Sequence, residues 1–316
     1  MSHSRDALQG LEANEVEPVI LFLHIPKTGG TTVENILYGQ AEIRYPDLHP
    51  PVDHQDGWIA RGAFFFHGVL LIAENELAGF LRQPTRPPSP ELIATLSRDD
   101  VRIVAGHFWF GLHRYVSTPS TYITFLRDPV DRVVSLYYHL VKYPDYAEFH
   151  RNIARNKVGL ADFVSKIGCK EADNDQTRRI SGLDPEFGSC SEEMLEVAKS
   201  NIRSRFSLVG TTERFDETIL LAARRFGWTT PHYWRKQVNP ERPGRHLVDE
   251  DTIARIARQN ELDIALYDYA NSLLDEAVAR QGPDFPGEVE RFRAANPRHT
   301  SEDAPEYPAG ERPGRG

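Results

Sequence analysis

The segment VILFLHIPKTGGTTVENIL, residues 19–37, constrains the fold of this chain more than any other. Its first five residues, Val19 to Leu23, are uniformly apolar and stop abruptly at His24-Ile25-Pro26. A short continuous apolar run fits a strand covered on both faces, as in a parallel sheet. The run enters a turn made of Lys27, Thr28, Gly29, Gly30, Thr31 and Thr32, and an amphipathic helical pattern follows. Physically such a turn is an anion cradle. Glycines let the backbone come close, open N–H groups at the helix start point at the ligand, and the helix dipole favours negative charge. Lys27 adds a full charge and the threonines add hydroxyl donors. The plain alternative is a Gly-Gly turn that merely joins strand to helix, and the coincidence of all five features weighs against it. The turn is not a Walker A motif, because its lysine precedes the glycine pair.

Three further apolar runs read as strands: Val101 to Ala105, Tyr122 to Leu126 and Phe206 to Gly210. Helical patterns lie between and after them. Asp128-Pro129 opens one, with Asp as cap and Pro at the first helical position, before Val130, Val133, Val134, Tyr137 and Val141. Ser191-Glu192-Glu193 opens another, and stripes beginning at Phe215 and Leu262 mark two more. Strands alternating with helices predict βαβ units and a mostly parallel sheet. Residues 41–61 and 83–90 are rich in Pro and read as irregular connections. We expect a loose leader over 1–18, a single domain over 19–280, and a mobile, Pro- and Gly-rich tail over 281–316.

The segment TYITFLRDPVDRVVSLYYHL, residues 121–140, supplies a second anion site. Arg127 falls at a strand end and Ser135 in the helix that follows. Parallel strand ends converge on one edge of the sheet, where ligands bind. A guanidinium and a hydroxyl there suit a terminal phosphate. Salt bridging of Arg127 to Asp128 or Asp131, and simple helix packing of Ser135, are the alternatives.

Bulk composition excludes several classes. The net charge of -9 argues against a nucleic-acid binder. Two cysteines, Cys169 and Cys190, make no disulfide framework, so a reducing compartment is expected. Residues 1–18 lack the apolar core of a signal peptide, and no apolar run has the ~20 residues of a spanning helix. A cytoplasmic location is the expectation. No C-x-x-C or H-E-x-x-H spacing suggests a metal site.

With both anion segments in hand, the chain resembles the sulfotransferase superfamily, in particular the branch related to carbohydrate 2-O-sulfotransferases of the heparan and chondroitin type. H-I-P-K-T-G-G-T-T at 24–32 is similar to that family's 5′-phosphosulfate loop, and R-D-P-V-D-R-V-V-S at 127–135 to its 3′-phosphate motif. G-H-F-W-F-G at 106–111, N-D-Q-T-R at 174–178, V-G-T-T-E-R-F-D at 209–216, V-N-P-E-R-P at 238–243 and L-D-I-A-L-Y at 262–267 follow in family order. The resemblance covers about 19–275 and implies an α/β, P-loop-like three-layer fold, with a central mainly parallel sheet flanked by helices. It implies that Lys27, Thr28, Gly29, Gly30, Thr31 and Thr32 hold the 5′-phosphosulfate of 3′-phosphoadenosine 5′-phosphosulfate (PAPS), that Arg127 and Ser135 hold the 3′-phosphate, and that His107 is the catalytic histidine. Many eukaryotic relatives are membrane-anchored Golgi enzymes, and no such anchor is read here.

The expected chemistry is in-line transfer of a sulfuryl group to a hydroxyl of a glycan, glycolipid or small alcohol. His107 is suited to general-base work and Lys27 to the charge developing on the leaving oxygen. The sulfuryl group carries less charge than a phosphoryl, so no metal is required. His113 is the reserve base and shapes the pocket, and His24 supports the loop from behind. Gln176 and Arg178 reach the acceptor, and Arg242 closes over the nucleotide; for each arginine a solvated surface position is the competing reading. Trp109, Phe110 and Tyr115 line the acceptor pocket or pack in the core. Two other functions compete: a small-molecule P-loop kinase, and a nucleotide-binding protein without catalysis. The sequence carries no mark of oligomeric state.

Overall fold

The computed structural model describes residues 17–48, 58–60, 63–66, 68–72, 88–145, 147–229, 231, 233 and 245–296. Strand β1 (Val19–Leu23) runs into helix α1 (Gly30–Arg44). Three short strands follow, β2 (Trp58–Ala60), β3 (Ala63–Phe66) and β4 (Val69–Ile72), then α2 (Pro90–Leu96), β5 (Ile103–Gly106) and β6 (Ser120–Leu126). A helical block comes next: α3 (Pro129–Lys142), α4 (Glu148–Arg155), α5 (Leu160–Lys166), α6 (Asp175–Ser181) and α7 (Glu192–Arg205). Strand β7 (Phe206–Thr211) precedes α8 (Phe215–Phe226), α9 (Glu250–Gln259), α10 (Glu261–Ala279) and α11 (Phe285–Ala295).

The strands form one sheet in the order β2-β3-β4-β5-β1-β6-β7. From β4 to β7 every pairing is parallel, whereas β2 with β3 and β3 with β4 run antiparallel. β1 lies inside the sheet and all five of its residues are buried, which is why its sequence shows no alternation. Its odd residues, Leu21 and Leu23, join Val104 of β5 and Tyr122 of β6 beneath α7 and α10. The even residues, Ile20 and Phe22, join Ile103, Ala105, Ile123 and Phe125 beneath α1, α8 and α11. A third cluster, with Val133, Val134, Phe163 and Ile256, knits α3, α5 and α9 together.

Two helices on the α7 side start on each other. Asn174, just ahead of α6, accepts the Leu262 and Asp263 N–H groups at 3.0 and 3.1 Å through its side-chain oxygen, and so caps α10. Asp263, in the first turn of α10, accepts the Thr177 and Gln176 N–H groups at 2.7 and 3.1 Å and so caps α6. Each side chain satisfies donors that a helix start leaves open. The N-D-Q-T-R and L-D-I-A-L-Y segments are the two halves of this reciprocal lock.

The structure departs from the sequence reading in three places. Residues 41–44 complete α1 and 58–60 form a strand, so neither belongs to an irregular connection. The antiparallel β2–β3 pair extends the sheet on one edge. Residues 285–295 are helical rather than a mobile tail: Phe285, Val289 and Phe292 recur at helical spacing and are buried against the even face of the sheet. No described helix is long and apolar enough to cross a membrane.

Asp263 is fully buried, and both carboxylate oxygens hold α6. Asp263→Ala leaves two buried N–H groups without acceptors and should lower unfolding free energy by about 2–4 kcal/mol. Urea denaturation of wild type and variant measures this, and a change below half a kcal/mol, on the scale of ordinary surface substitutions, contradicts it.

Candidate active site

The site follows from the alternation along three neighbouring strands. Beyond β1, His24 continues the row Ile20, Phe22; beyond β5, His107 continues Ile103, Ala105; beyond β6, Arg127 continues Ile123, Phe125. Three chemistry-bearing side chains therefore leave the carboxyl edge of the sheet in rows on the α1 face.

Leu23 pairs with Gly106 at the end of the β1–β5 ladder, so His24 and His107 are the next cross-strand neighbours. The His24 N–H donates to the Gly106 carbonyl at 2.9 Å. His107 Nδ1 lies 2.8 Å from the His24 carbonyl, and the two ring centroids are 4.1 Å apart. A carbonyl only accepts, so Nδ1 carries the proton and Nε2 of neutral His107 keeps its lone pair. That is the tautomer a general base needs.

The cradle residues turn tightly around the His24 ring. Lys27 has φ +70°, a left-handed conformation uncommon for a non-glycine residue, and Gly29 follows at φ +84°. Gly29 is the N-cap of α1 and brings no side-chain acceptor. The cap therefore places no carboxylate or hydroxyl of its own over the helix start, as an anion site requires. Gly30 has its own reason: a Cβ there falls 1.9–2.6 Å from ring atoms of His24. Thr28 is fully buried and donates its hydroxyl to the Ile25 carbonyl at 2.9 Å, so that hydroxyl holds the turn instead of facing outward. Thr31 is half-buried in the first turn of α1, and the Thr32 N–H bonds the Gly29 carbonyl at 3.1 Å.

Arg127 joins the second anion segment to the first. Its Nη1 donates to the Lys27 carbonyl at 3.1 Å. Its backbone is held by Gln176, whose amide accepts from Arg127 N at 2.9 Å and donates to Arg127 O at 3.0 Å. Thr212 ties the same elements, its hydroxyl lying 2.8 Å from the Thr28 carbonyl and 3.1 Å from that of Leu126. Asp128 caps α3 through the Asp131 N–H at 2.9 Å, and Ser135 lies half-buried one turn beyond Asp131. The Asp128 carboxylate also meets Arg245 at 3.4 Å.

Three expected contacts with the acceptor are corrected by this geometry. Gln176 has no exposed surface and spends its amide on Arg127. Arg178 also has none; it bonds Asp173 and Asp184 carboxylates at 2.7 and 2.9 Å and carbonyls of Asp173, Pro185 and Glu186. It is a structural arginine holding the 182–190 loop. His113 does not approach His107. Its Nδ1 and backbone N–H each lie 3.0 Å from the hydroxyl of Tyr122, five residues behind Arg127 on β6, or roughly 16 Å at ~3.3 Å per residue. Phe110 packs on Tyr122 and Phe206, and Tyr115 packs against the same core, which decides both for packing. Trp109 is buried with Arg179 over its ring at 5.5 Å. Arg242 lies outside the described residues. No motif marks Thr212, Glu34 or the Asn174–Asp263 pair by itself; the signal they carry is an Asn just ahead of one helix and an Asp in the first turn of another.

Burial, with Arg205 and Arg114 nearby, pulls the His113 pKa down to about 4. The unfolded chain then takes up a proton that the native chain refuses, between the unperturbed value of about 6.5 and 4. The His113 contribution is complete above that window and is lost as pH falls through it. Denaturation midpoints against pH should therefore drop less steeply for His113→Gln than for wild type between these limits; parallel curves contradict the assignment.

Comparison with known proteins gives the same frame a lineage. Residues 4–303 match the family described as Galactose-3-O-sulfotransferase. Galactose-3-O-sulfotransferase 3 of Mus musculus is 26% identical over 280 residues, covering 83% of this chain and 58% of the relative. The Homo sapiens protein of that name gives the same figures. Heparan-sulfate 6-O-sulfotransferase 1 of Homo sapiens is 28% identical over 289 residues, 82% of this chain and 66% of the relative. The chain thus spans 58% of the length of the galactose-3-O relatives. A match that takes in β1 through α11, with both anion segments inside it, leaves little of the molecule unaccounted for: the chain belongs to the galactose-3-O-sulfotransferase family.

Proposed function

We propose that this protein transfers the sulfuryl group of PAPS to a hydroxyl of a carbohydrate acceptor, with His107 as general base. The observation that carries the proposal is the Arg127–Lys27 contact at 3.1 Å, which brings two cationic anion-binding segments to one sheet edge beside His107. A donor with phosphate at two ends suits two cradles so spaced. The open start of α1, Lys27 and Gly29 to Thr32 take the 5′-phosphosulfate end, with Thr28 serving through its backbone. Arg127 and Ser135 take the 3′-phosphate.

PAPS supplies the sulfuryl group and a stable leaving phosphate. His107 Nε2 accepts the proton of the acceptor hydroxyl while the oxygen–sulfur bond forms. The bond from sulfur to the bridging oxygen breaks, its electron pair stays on the 5′-phosphate, and Lys27 offsets the charge that gathers there. The relatives compared above are named for 3-O and 6-O positions, not for the 2-O position that the motifs resembled. The proposal therefore names a sugar hydroxyl and no ring position.

A kinase would need a carboxylate free for magnesium at a strand end. Asp128, the residue nearest that description, caps α3 and faces Arg245. Calorimetry with adenosine 3′,5′-bisphosphate and with ATP separates the readings. Tight bisphosphate binding that is lost in Lys27→Ala and Arg127→Ala is expected, with ATP bound weakly. His107→Ala should keep bisphosphate affinity and lose about 10²–10⁴ in turnover of a sugar acceptor. Preference for ATP with magnesium, or full turnover by His107→Ala, overturns the proposal.

A further inference from the structure

The two anion segments follow different strands, and a donor held at both ends needs them at a fixed spacing. The β1–β6 ladder runs from the Val19–Ser120 pair to the Leu23–Thr124 pair, and the Thr124 hydroxyl adds a bond to the Leu23 carbonyl at 2.7 Å. Thr28 lies five residues past the end of that ladder and Arg127 three. The spacing of the cradles therefore depends on what meets beyond the strands. There the phosphate turn crosses the end of β6 and reaches the end of β7, which is not a neighbour of β1 in the sheet.

Thr212 is the residue it meets. It follows Thr211, the last β7 residue paired with β6, and opens the short helix Thr212–Arg214. Its hydroxyl lies 2.8 Å from the Thr28 carbonyl and 3.1 Å from the Leu126 carbonyl, so one proton is shared between the turn and the peptide that leads into Arg127. Gly29, the cap of α1, lies alongside: a Cβ there would stand 3.8 Å from Thr212 Cγ2. The next residue, Glu213, accepts the Asp128 N–H at 3.2 Å and the Tyr267 hydroxyl proton at 2.9 Å. The same short helix is thus tied to the far side of Arg127 and to α10. Threonine is stiff about χ1, so its hydroxyl goes where this backbone goes. Arg127 also bonds the turn, at the Lys27 carbonyl, but with the guanidinium assigned to the 3′-phosphate.

We propose that Thr212 is a positioning residue that fixes the spacing of the two cradles, so that both ends of one 3′,5′-bisphosphorylated nucleotide fit at once. The proposal rests on the PAPS reading above for the identity of the ligand. Each cradle keeps its own shape through internal bonds. The first has Thr28 Oγ1 to the Ile25 carbonyl and Thr32 N–H to the Gly29 carbonyl; the second has the Gln176 clamp and the Asp128 cap. Thr212 adds a link between them. A ligand that engages both sites gains from their fixed distance, because its second contact is made at a high effective concentration. A ligand that engages one site gains nothing from it. The role passes through two backbones, so Thr212 is not a catalytic residue.

Titrations of adenosine 3′,5′-bisphosphate, adenosine 5′-monophosphate and adenosine 3′-monophosphate against the full-length protein test this, by calorimetry for the first and by ligand-observed NMR for the others. Thr212→Val keeps the shape of the side chain and removes the hydroxyl. It should weaken the bisphosphate about 3- to 10-fold, the scale of one lost hydrogen bond, and leave each monophosphate within about twofold of wild type. Thr212→Ser retains the hydroxyl and should recover bisphosphate affinity. A monophosphate weakened as much as the bisphosphate in Thr212→Val overturns the proposal, since the defect then lies within one cradle. Unchanged bisphosphate affinity in Thr212→Val overturns it too, as does a Thr212→Ser variant no better than Thr212→Val. A wild type that binds the bisphosphate but neither monophosphate has no separable cradles and also overturns it. A wild type that binds no bisphosphate overturns the PAPS reading alone. Nitrogen-15 relaxation of residues 27–30 in the nucleotide-free protein then decides the joint. A loss of backbone order there in Thr212→Val, restored in Thr212→Ser, upholds the link, and equal order in all three proteins overturns it.

Discussion

Asp263 holds two backbone N–H groups at the start of α6, and the active edge of the sheet hangs from that contact. The residue it fixes, Gln176, clamps both backbone groups of Arg127. Arg127 in turn bonds the carbonyl of Lys27. Three links thus carry a helix cap on one side of the sheet to the phosphate turn on the other. The cost is a carboxylate with no exposed surface, whose pKa burial raises while the nearby Arg132 and the two N–H groups oppose it. A buried carboxyl is tolerated here because removing it would leave two open donors at a helix start.

The second constraint is the parallel register of β1 with β5 and β6. Alternation places His24, His107 and Arg127 on one face only because each strand ends in phase with its neighbour. A slip of one residue in any strand would turn its terminal side chain to the opposite face, among α7 and α10. The apolar rows Ile20–Phe22, Ile103–Ala105 and Ile123–Phe125 resist that slip, since they would exchange places with the Leu21 and Val104 rows. Core packing and site geometry are therefore the same specification, written in consecutive residues.

This explains what was legible in the sequence. Apolar runs ending in His24, His107 and Arg127 announce both the strands and what their ends carry, because continuous burial and phosphate turns leave local marks. The parallel sheet and the helices after Asp128, Ser191, Phe215 and Leu262 are read for the same reason. Gln176 and Arg178 mislead because a polar side chain beside a binding motif looks alike whether it faces a ligand or a buried partner, here Arg127 for Gln176 and the Asp173 and Asp184 carboxylates for Arg178. The tail misleads because Phe285, Val289 and Phe292 are diluted by Pro and Gly, although their spacing is that of a buried stripe. His113 is only six residues from His107, yet Gly111, at φ +120°, and the short helix Leu112–Tyr115 carry it back along the sheet.

Backbone strain falls on this same network. Among the described residues, Lys27, Lys157 and Asn174 are the non-glycines with positive φ. Two of them are nodes of the chain that runs from α10 to the cradle. Asn174 adopts the left-handed region readily, since its short amide bonds locally, here to the Asp173 carboxylate. For the long side chain of Lys27 the same conformation costs about 1–2 kcal/mol. Glycine would take the same φ without strain but would remove the ammonium from the mouth of the cradle. The carbonyl that Arg127 holds and the inward hydroxyl of Thr28 stabilise the turn in that conformation. A charge is kept where the backbone alone would favour glycine, and residues from four separate stretches of the chain keep it there.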